Sequence, residues 1–133
     1  MRNPLELIAL LARATDRLFL WTHYWDARLV GRRADLARRF RATAPLHYDG
    51  LTATAYRYEY DDYLMLPSFC GGTDSAGAWL TRDDILGCLD RVGLSRQRIA
   101  FEEPEHPNGP AFAVAASRPG PLARPRGRRR RGK

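Results

Sequence analysis

The chain has 133 residues and a formal net charge of +7, and 44% of its side chains are hydrophobic and 11% aromatic. This length and composition are typical of a single folded domain. No apolar run approaches the roughly 18 residues of a membrane span, and the opening segment, interrupted by Glu6, lacks the layout of a secretory signal. Its two cysteines, Cys70 and Cys88, argue against a disulfide framework, so we expect a cytoplasmic protein with reduced thiols.

The positive charge is concentrated at the carboxyl end of the chain. Residues 118–133 carry eight of the 22 basic side chains and no acidic one, which leaves 14 basic against 15 acidic side chains in residues 1–117. A segment so rich in Pro, Gly and Arg cannot bury apolar surface, and we expect it to be a disordered tail. Either it binds polyanions weakly and without sequence preference, or it is an incidental extension that solvates the terminus.

The first element along the chain is a predicted helix that ends near Ala14. Asn3 is suited to the N-cap, Pro4 to the first helical position and Glu6 to the first turn, and apolar residues then recur at helical spacing. The next run, Leu18 to Trp21, is apolar without alternation. That pattern is typical of a strand covered on both faces, as in a parallel sheet.

The middle of the chain contains a predicted hairpin. Residues 26–40 have helical periodicity and many basic side chains, and Asp49-Gly50 then forms a two-residue turn signal between two strand-like runs. The second run alternates and places three tyrosines on one face, either as a binding surface or as plain cover for the sheet: Tyr56, Tyr58 and Tyr60. Residues 61–80 have the composition of a loop.

A helix and two strands complete the predicted fold. Thr81 caps a helix that ends before Gly93 and that carries Cys88 on its apolar side, where we expect it in the core. The strands "RQRIAFEE" and "AFAVAAS" follow, joined by the turn-rich residues 104–110. Helices that separate strands imply an α/β layered domain.

Two segments of the chain resemble the C-terminal half of class I S-adenosylmethionine-dependent methyltransferases. They are "LFLWTHYWD" and "WLTRDDILGCLDRVGLSRQRIAFEEPEHPNGPAFAVAAS". The first is similar to the fifth strand of that family. In the second segment, Trp-Leu-Thr resembles the cap of the family's penultimate helix, and Gly-Leu resembles the junction before its sixth strand. The last run of the segment resembles the seventh strand, which returns antiparallel. The resemblance implies a partial Rossmann-like sheet in residues 1–117, with 23–80 as a substrate-side insertion.

The part of the family that holds the cofactor has no counterpart in this sequence. Family members bind S-adenosylmethionine through a glycine-rich turn after the first strand and an acid after the second. The one glycine cluster, "FCGGTDSAG", lacks the spacing of a nucleotide-binding turn and is better interpreted as a lid or turn. The resemblance therefore implies a truncated methyltransferase-like protein, inactive unless a partner completes it.

The open sheet edge of such a half-domain offers a surface to a second copy or to a complementing chain. The alternative function is a non-catalytic interaction module with a polyanion-binding tail.

Candidate site residues follow the strand at 18–21, because ligands of open α/β sheets bind beyond the carboxyl ends of strands. His23 is a candidate general base, or else a hydrogen-bonded structural residue. Asp26 either orients His23 or binds a substrate hydroxyl or amine, or it caps the next helix. Tyr24 and Trp25 are candidates for substrate binding, with core packing as the alternative.

Two more distant residues complete the predicted site. Trp79 is either a substrate platform or a packing anchor for the following helix, and His106 either reaches the cleft from the hairpin tip or is a solvated loop residue. We expect no metal site, because His23, His47 and His106 have no ligand spacing in the sequence.

Overall fold

The computed structural model describes residues 3–60 and 76–120. Within them the chain forms four helices and six strands in two three-stranded antiparallel sheets. In chain order these are α1 (Pro4–Ala14), β1 (Arg17–His23), α2 (Ala27–Gly31), α3 (Ala34–Ala37), β2 (Phe40–Tyr48), β3 (Leu51–Glu59), β4 (Ala76–Trp79), α4 (Arg82–Arg91), β5 (Arg96–Glu103) and β6 (Ala111–Ser117). None of the described helices has the length and apolar character needed to cross a membrane.

The first sheet has the strand order β1-β6-β5. Its central strand β6 is antiparallel to both neighbours, so β1 and β5 run in the same direction. Because β6 is paired on both edges and covered, the side chains of Ala111 to Val114 are fully buried. The mixed α/β class and the closing antiparallel strand pair are confirmed.

Within the described residues strand β1 is covered on one face only and pairs antiparallel, so the prediction of a doubly covered strand in a parallel sheet is wrong. Its described ladder partner is the antiparallel β6. Leu18 and Leu20 pack against the main core, whereas Phe19 and Trp21 remain 61% and 41% exposed on the opposite face. The apolar run without alternation therefore reflects an outer face of β1 that is itself apolar. No layer of described residues covers this outer face.

The second sheet has the order β2-β3-β4. The predicted hairpin between its first two strands is confirmed, since Asp49 and Gly50 have φ values of 48° and 79°, as a tight two-residue turn requires. Strand β4 lies inside the segment predicted as loop, because it pairs with β3, a distant partner that local composition does not reveal. The rest of that segment, 61–75 with Cys70 and most of "FCGGTDSAG", lies outside the described residues.

Residues 26–40 form two short helices and the start of β2, where one helical stretch was predicted. The helices α2 and α3 are separated by Arg32 and Arg33, and Phe40 already belongs to β2. Val30 and Leu36 of these helices pack with Tyr58 in a second, smaller core. Pairing of Phe40 with Tyr58 across the sheet therefore overrides the helical periodicity.

The ends of α1 and α4 follow the predicted capping. The side chain of Asn3 accepts a hydrogen bond from the Leu5 amide, and that of Thr81 accepts one from the Asp84 amide, each at 3.1 Å. Both helices bury their apolar sides in the main core against the first sheet, and Cys88 lies in that core as predicted. Burial raises the pKa of the Cys88 thiol.

Arg118 belongs to the ordered structure, although the sequence places it in the basic tail. Its guanidinium donates to the Ala12 carbonyl at 2.6 Å, to the Val92 carbonyl at 3.0 Å and to the Asp16 carboxylate at 3.0 Å. The cation thus joins the carboxyl ends of α1 and α4, where it also interacts favourably with both helix dipoles. The prediction of disorder for 121–133 concerns residues outside the described range.

Candidate functional site

A cleft opens where the first sheet meets the second. Beyond β1, the amide of Trp25 donates to the Leu80 carbonyl at 2.9 Å, which ties the end of β1 to the end of β4. Beside this junction, residues 20–23 and 77–80 line a cavity of about 290 Å³. Pro4, Leu7 and Ile8 of α1 close one side of it.

His23 lines this cleft at the carboxyl end of β1. Its Nδ1 lies 3.0 Å from the Gly109 carbonyl oxygen and 3.3 Å from that of Pro110. Carbonyl oxygens only accept, so Nδ1 carries a proton and Nε2 of the neutral ring keeps its lone pair. Burial lowers the pKa of His23 below its ordinary value, against the opposing effect of the two carbonyls, and so favours the neutral ring.

Aromatic rings hold the imidazole of His23 on several sides. The Trp79 indole lies parallel to it at 5.0 Å and also stacks on Tyr58 at 4.9 Å. Trp21 meets the imidazole edge-on at 4.9 Å. Gly109 permits this packing, because it has a φ of +124° and a Cβ there would lie 2.5 Å from the Trp79 ring.

His106 reaches the same cluster from the loop 104–110. Its ring lies 5.2 Å from that of His23 and 5.6 Å from that of Trp21, both edge-on. Its Nδ1 accepts the amide proton of Asn108 at 3.1 Å, so Nε2 carries the proton of the neutral ring. The two imidazoles therefore offer opposite functions at Nε2, an acceptor on His23 and a donor on His106.

Arg33 fixes the loop that carries His106. Its guanidinium donates to the His106 carbonyl at 2.8 Å and to the Pro107 carbonyl at 2.6 Å. The same group pairs with Asp35 at 3.0 Å, and this hydrogen bond lowers the pKa of the Asp35 carboxyl. The link between α2 and α3 thus positions the loop whose carbonyls hold His23.

Three other predicted site residues lie outside the His23 cluster. Tyr24 is only 7% exposed and packs edge-on against Phe112 in the main core, where burial raises the pKa of its hydroxyl. Trp25 stacks on Tyr56 at 3.7 Å. The Asp26 carboxylate caps α2 by accepting hydrogen bonds from the amides of Arg28 and Leu29, each at 2.9 Å. Each has the structural role given as its alternative.

Sequence reasoning missed Trp21 and Arg33. Trp21 had a usable signal, since residues two apart on a strand share a face and Trp21 precedes His23 by two. Arg33 had none, because the carbonyls that it binds are distant in sequence.

The described residues do not form a cradle for a nucleotide-bearing cofactor. Their two strand-to-helix connections, 24–26 and 80–81, contain no glycine that would allow a phosphate or ribose close to the backbone. Across ranges 3–60 and 76–120, no group of three or more His, Cys, Asp or Glu side chains is arranged to hold a metal ion.

Two crystal structures of the N-terminal domain of EvdMO1 have a similar fold, one determined in the presence of SAH and D-fucose and the other with SAH bound. They are 17% and 18% identical to this chain, with a TM-score of 0.53 in each case. The matches cover 89% of this chain but 42% and 41% of those chains, so this chain spans about two fifths of their length. No family profile and no curated protein matches the sequence. The likeness shows that this chain shares part of the fold of the N-terminal domain of EvdMO1.

Proposed function

We propose that this chain is the acceptor-side part of a class I S-adenosylmethionine-dependent methyltransferase, with His23 as the proton acceptor. The observation that carries the proposal is the position of the His23 imidazole. Its Nδ1 is fixed on two carbonyls at the carboxyl end of β1, and its Nε2 has no hydrogen-bond partner among the described residues. A neutral, oriented imidazole in a cleft is suited to take a proton from a substrate hydroxyl.

The strand order of the first sheet supports the assignment to the C-terminal half of the family. In the proposed assignment β1 is the fifth strand of the family, β5 is the sixth and β6 is the seventh. In this chain β6 returns antiparallel and lies between the other two. The three strands of the second sheet all lie within 23–80, the segment assigned to a substrate-side insertion.

S-adenosylmethionine supplies a methyl group when it is bound, but the described residues do not fit it. Neither strand-to-helix connection offers a glycine-rich turn, and the chain spans about two fifths of the SAH-bound structures. In this proposal the cofactor site lies outside the described residues. The chain's own contribution is to bind and orient the acceptor and to receive its proton at His23 Nε2.

The dimensions of the cleft favour a small hydroxylated acceptor. A volume of about 290 Å³ accommodates one ring of sugar size. The partly exposed Trp21 indole provides an apolar surface for such a ring, while His23 and His106 provide an acceptor and a donor for its hydroxyls. One of the similar structures was determined in the presence of D-fucose, a single sugar ring.

The first experiment is calorimetric titration of S-adenosylmethionine and S-adenosylhomocysteine into the purified chain, together with its molecular mass in solution. We expect a folded protein without saturable binding of either compound. Micromolar binding by the monomer would show that the cofactor site is complete, and would overturn the proposal that another polypeptide supplies it.

The acceptor class has its own test. D-fucose is titrated into the chain while the imidazole resonances of His23 and the indole resonance of Trp21 are followed by NMR. Binding in the cleft shifts both and leaves the exposed His47 unchanged. If D-fucose and a panel of other monosaccharides shift neither, the sugar-sized acceptor is excluded.

The alternative is a non-catalytic interaction module with a polyanion-binding tail. It is favoured by the apolar side chains that the first sheet leaves exposed. A chain that binds neither cofactor nor acceptor but associates with itself or with another protein would support this alternative.

A further inference from the structure

Three of the five large hydrophobic side chains that are exposed among the described residues belong to the first sheet. Leu7 and Leu10 project from α1, Phe19 and Trp21 from β1, and Phe101 from β5. The register places Trp21 and Phe101 on either side of Ala113. A group of exposed apolar side chains on one face of a sheet, such as Phe19, Trp21 and Phe101, is typical of an interface.

The backbone of β1 has a short stretch of free edge. The Tyr24 amide donates to Pro110, so even-numbered residues of β1 face β6 and odd-numbered ones face outwards. The outward groups of Arg17 already bond the Thr15 hydroxyl, and the His23 carbonyl accepts from Thr22. This leaves the N–H and C=O groups of Phe19 and Trp21, together with the N–H of His23, without partners in the described structure.

We propose that the edge of β1 pairs antiparallel with β1 of a second copy, about a two-fold axis at Leu20. A two-fold axis at that residue places Phe19 of each copy opposite Trp21 of the other. Both residues have outward backbone groups, so each such pair exchanges two hydrogen bonds, and the free N–H and C=O groups of Phe19 and Trp21 in both copies are satisfied. The first sheets of the two copies then form one continuous six-stranded sheet.

The side chains around this axis are complementary. On the outer face Phe19 meets Trp21 of the second copy, an aromatic cross-strand pair. The axis also brings Arg17, an exposed side chain without an ion pair among the described residues, towards His23 and Glu103 of the second copy. Glu103 reaches this part of the sheet, since its carboxylate accepts a hydrogen bond from the Trp21 indole at 3.1 Å. The charges are therefore of opposite sign where the strands overlap.

This inference does not depend on the proposed methyltransferase function. A complementing polypeptide would use the same edge, so the paired copies are the state of the isolated chain that such a polypeptide would displace.

The mass of the full chain in solution provides the first test. At about 100 μM, where an association of micromolar Kd is saturated, we expect twice the mass of one chain. Phe19→Lys should raise the dimer dissociation constant about tenfold or more, whereas Phe101→Lys, at an exposed phenylalanine outside the strand pair, should leave it unchanged. A monomeric wild type, or equal effects of the two substitutions, would overturn the proposal.

A disulfide test fixes the register. In a Cys70→Ser background, Leu20→Cys places two thiols directly across the axis, at a Cα separation of about 4.5–5.5 Å that permits a disulfide. The matched control is Leu18→Cys on the same face, for which the two Cα atoms lie about 14 Å apart. Rapid oxidation of Leu20→Cys alone to a covalent dimer is expected. Equal cross-linking of both variants, or of neither, contradicts the two-fold axis at Leu20.

Discussion

The imidazole of His23 and the indole of Trp79 lie parallel at 5.0 Å, although one ends a strand of the first sheet and the other a strand of the second. The stack brings together the two walls of the cleft. It also shields the His23 ring from water, and this loss of solvation is the main cause of its lowered pKa. Four predictions follow from the packing around this pair and from the cation that joins the helix ends.

The stability of the protein should depend on the protonation of His23. Because its pKa is lowered in the folded state, the unfolded chain binds more protons, and the free energy of unfolding falls as the pH drops from 6.5 through the folded pKa. Urea unfolding at several pH values between about 7.5 and 5 measures this slope. His23→Gln should flatten it, while His47→Gln, on an exposed residue, should not. An unchanged slope in His23→Gln would show that His23 is not the group responsible.

Removal of Arg33 should free the loop that holds His23. Arg33→Ala deletes the two hydrogen bonds to the His106 and Pro107 carbonyls, so the loop moves away and water reaches the imidazole. We expect the pKa of His23, measured by NMR, to rise towards 6.5, with a loss of about 1–3 kcal/mol of stability. Arg32→Ala, at the exposed neighbouring residue, is the control. If His23 titrates identically in both variants, the loop does not depend on Arg33.

Gly109 should not tolerate a side chain. Its φ of +124° is unfavourable for other residues, and a Cβ would lie 2.5 Å from the Trp79 ring. We expect Gly109→Ala to lower the free energy of unfolding by about 1–3 kcal/mol or more. Gly31→Ala is the matched control, because nothing lies within 4 Å of its Cβ position; it should be neutral or stabilising by up to about 1 kcal/mol. Comparable losses in both variants would contradict the close approach to Trp79.

Arg118 should contribute to the stability of the fold. Arg118→Ala removes hydrogen bonds to the carboxyl ends of α1 and α4 and the pairing with Asp16. We expect a loss of about 1–3 kcal/mol in denaturant unfolding. Arg96→Ala, at an exposed residue on β5, should change stability by less than about 0.5 kcal/mol. A neutral Arg118→Ala would mean that water satisfies these carbonyls equally well.

The candidate site illustrates the limit of prediction from sequence. His23, Trp79 and His106 were each identifiable from their places in the element order, but the contacts among them were not. Asp26 and Tyr24 were named beside them, and their side chains cap α2 and fill the main core. At the end of a strand, the side chains of consecutive residues point in different directions. Proximity along the chain therefore did not decide which of these side chains line the cleft.

The sequence by itself determined the features that depend on interactions within a few residues. The caps at Asn3 and Thr81 and the turn at Asp49-Gly50 are local, because side chain and backbone partner are at most three positions apart. Tertiary structure alone decided which face of β1 is covered, that residues 76–79 form a strand, and that Arg33 holds the loop beside His23. These outcomes depend on partners distant in the chain, which only the folded packing brings within contact distance.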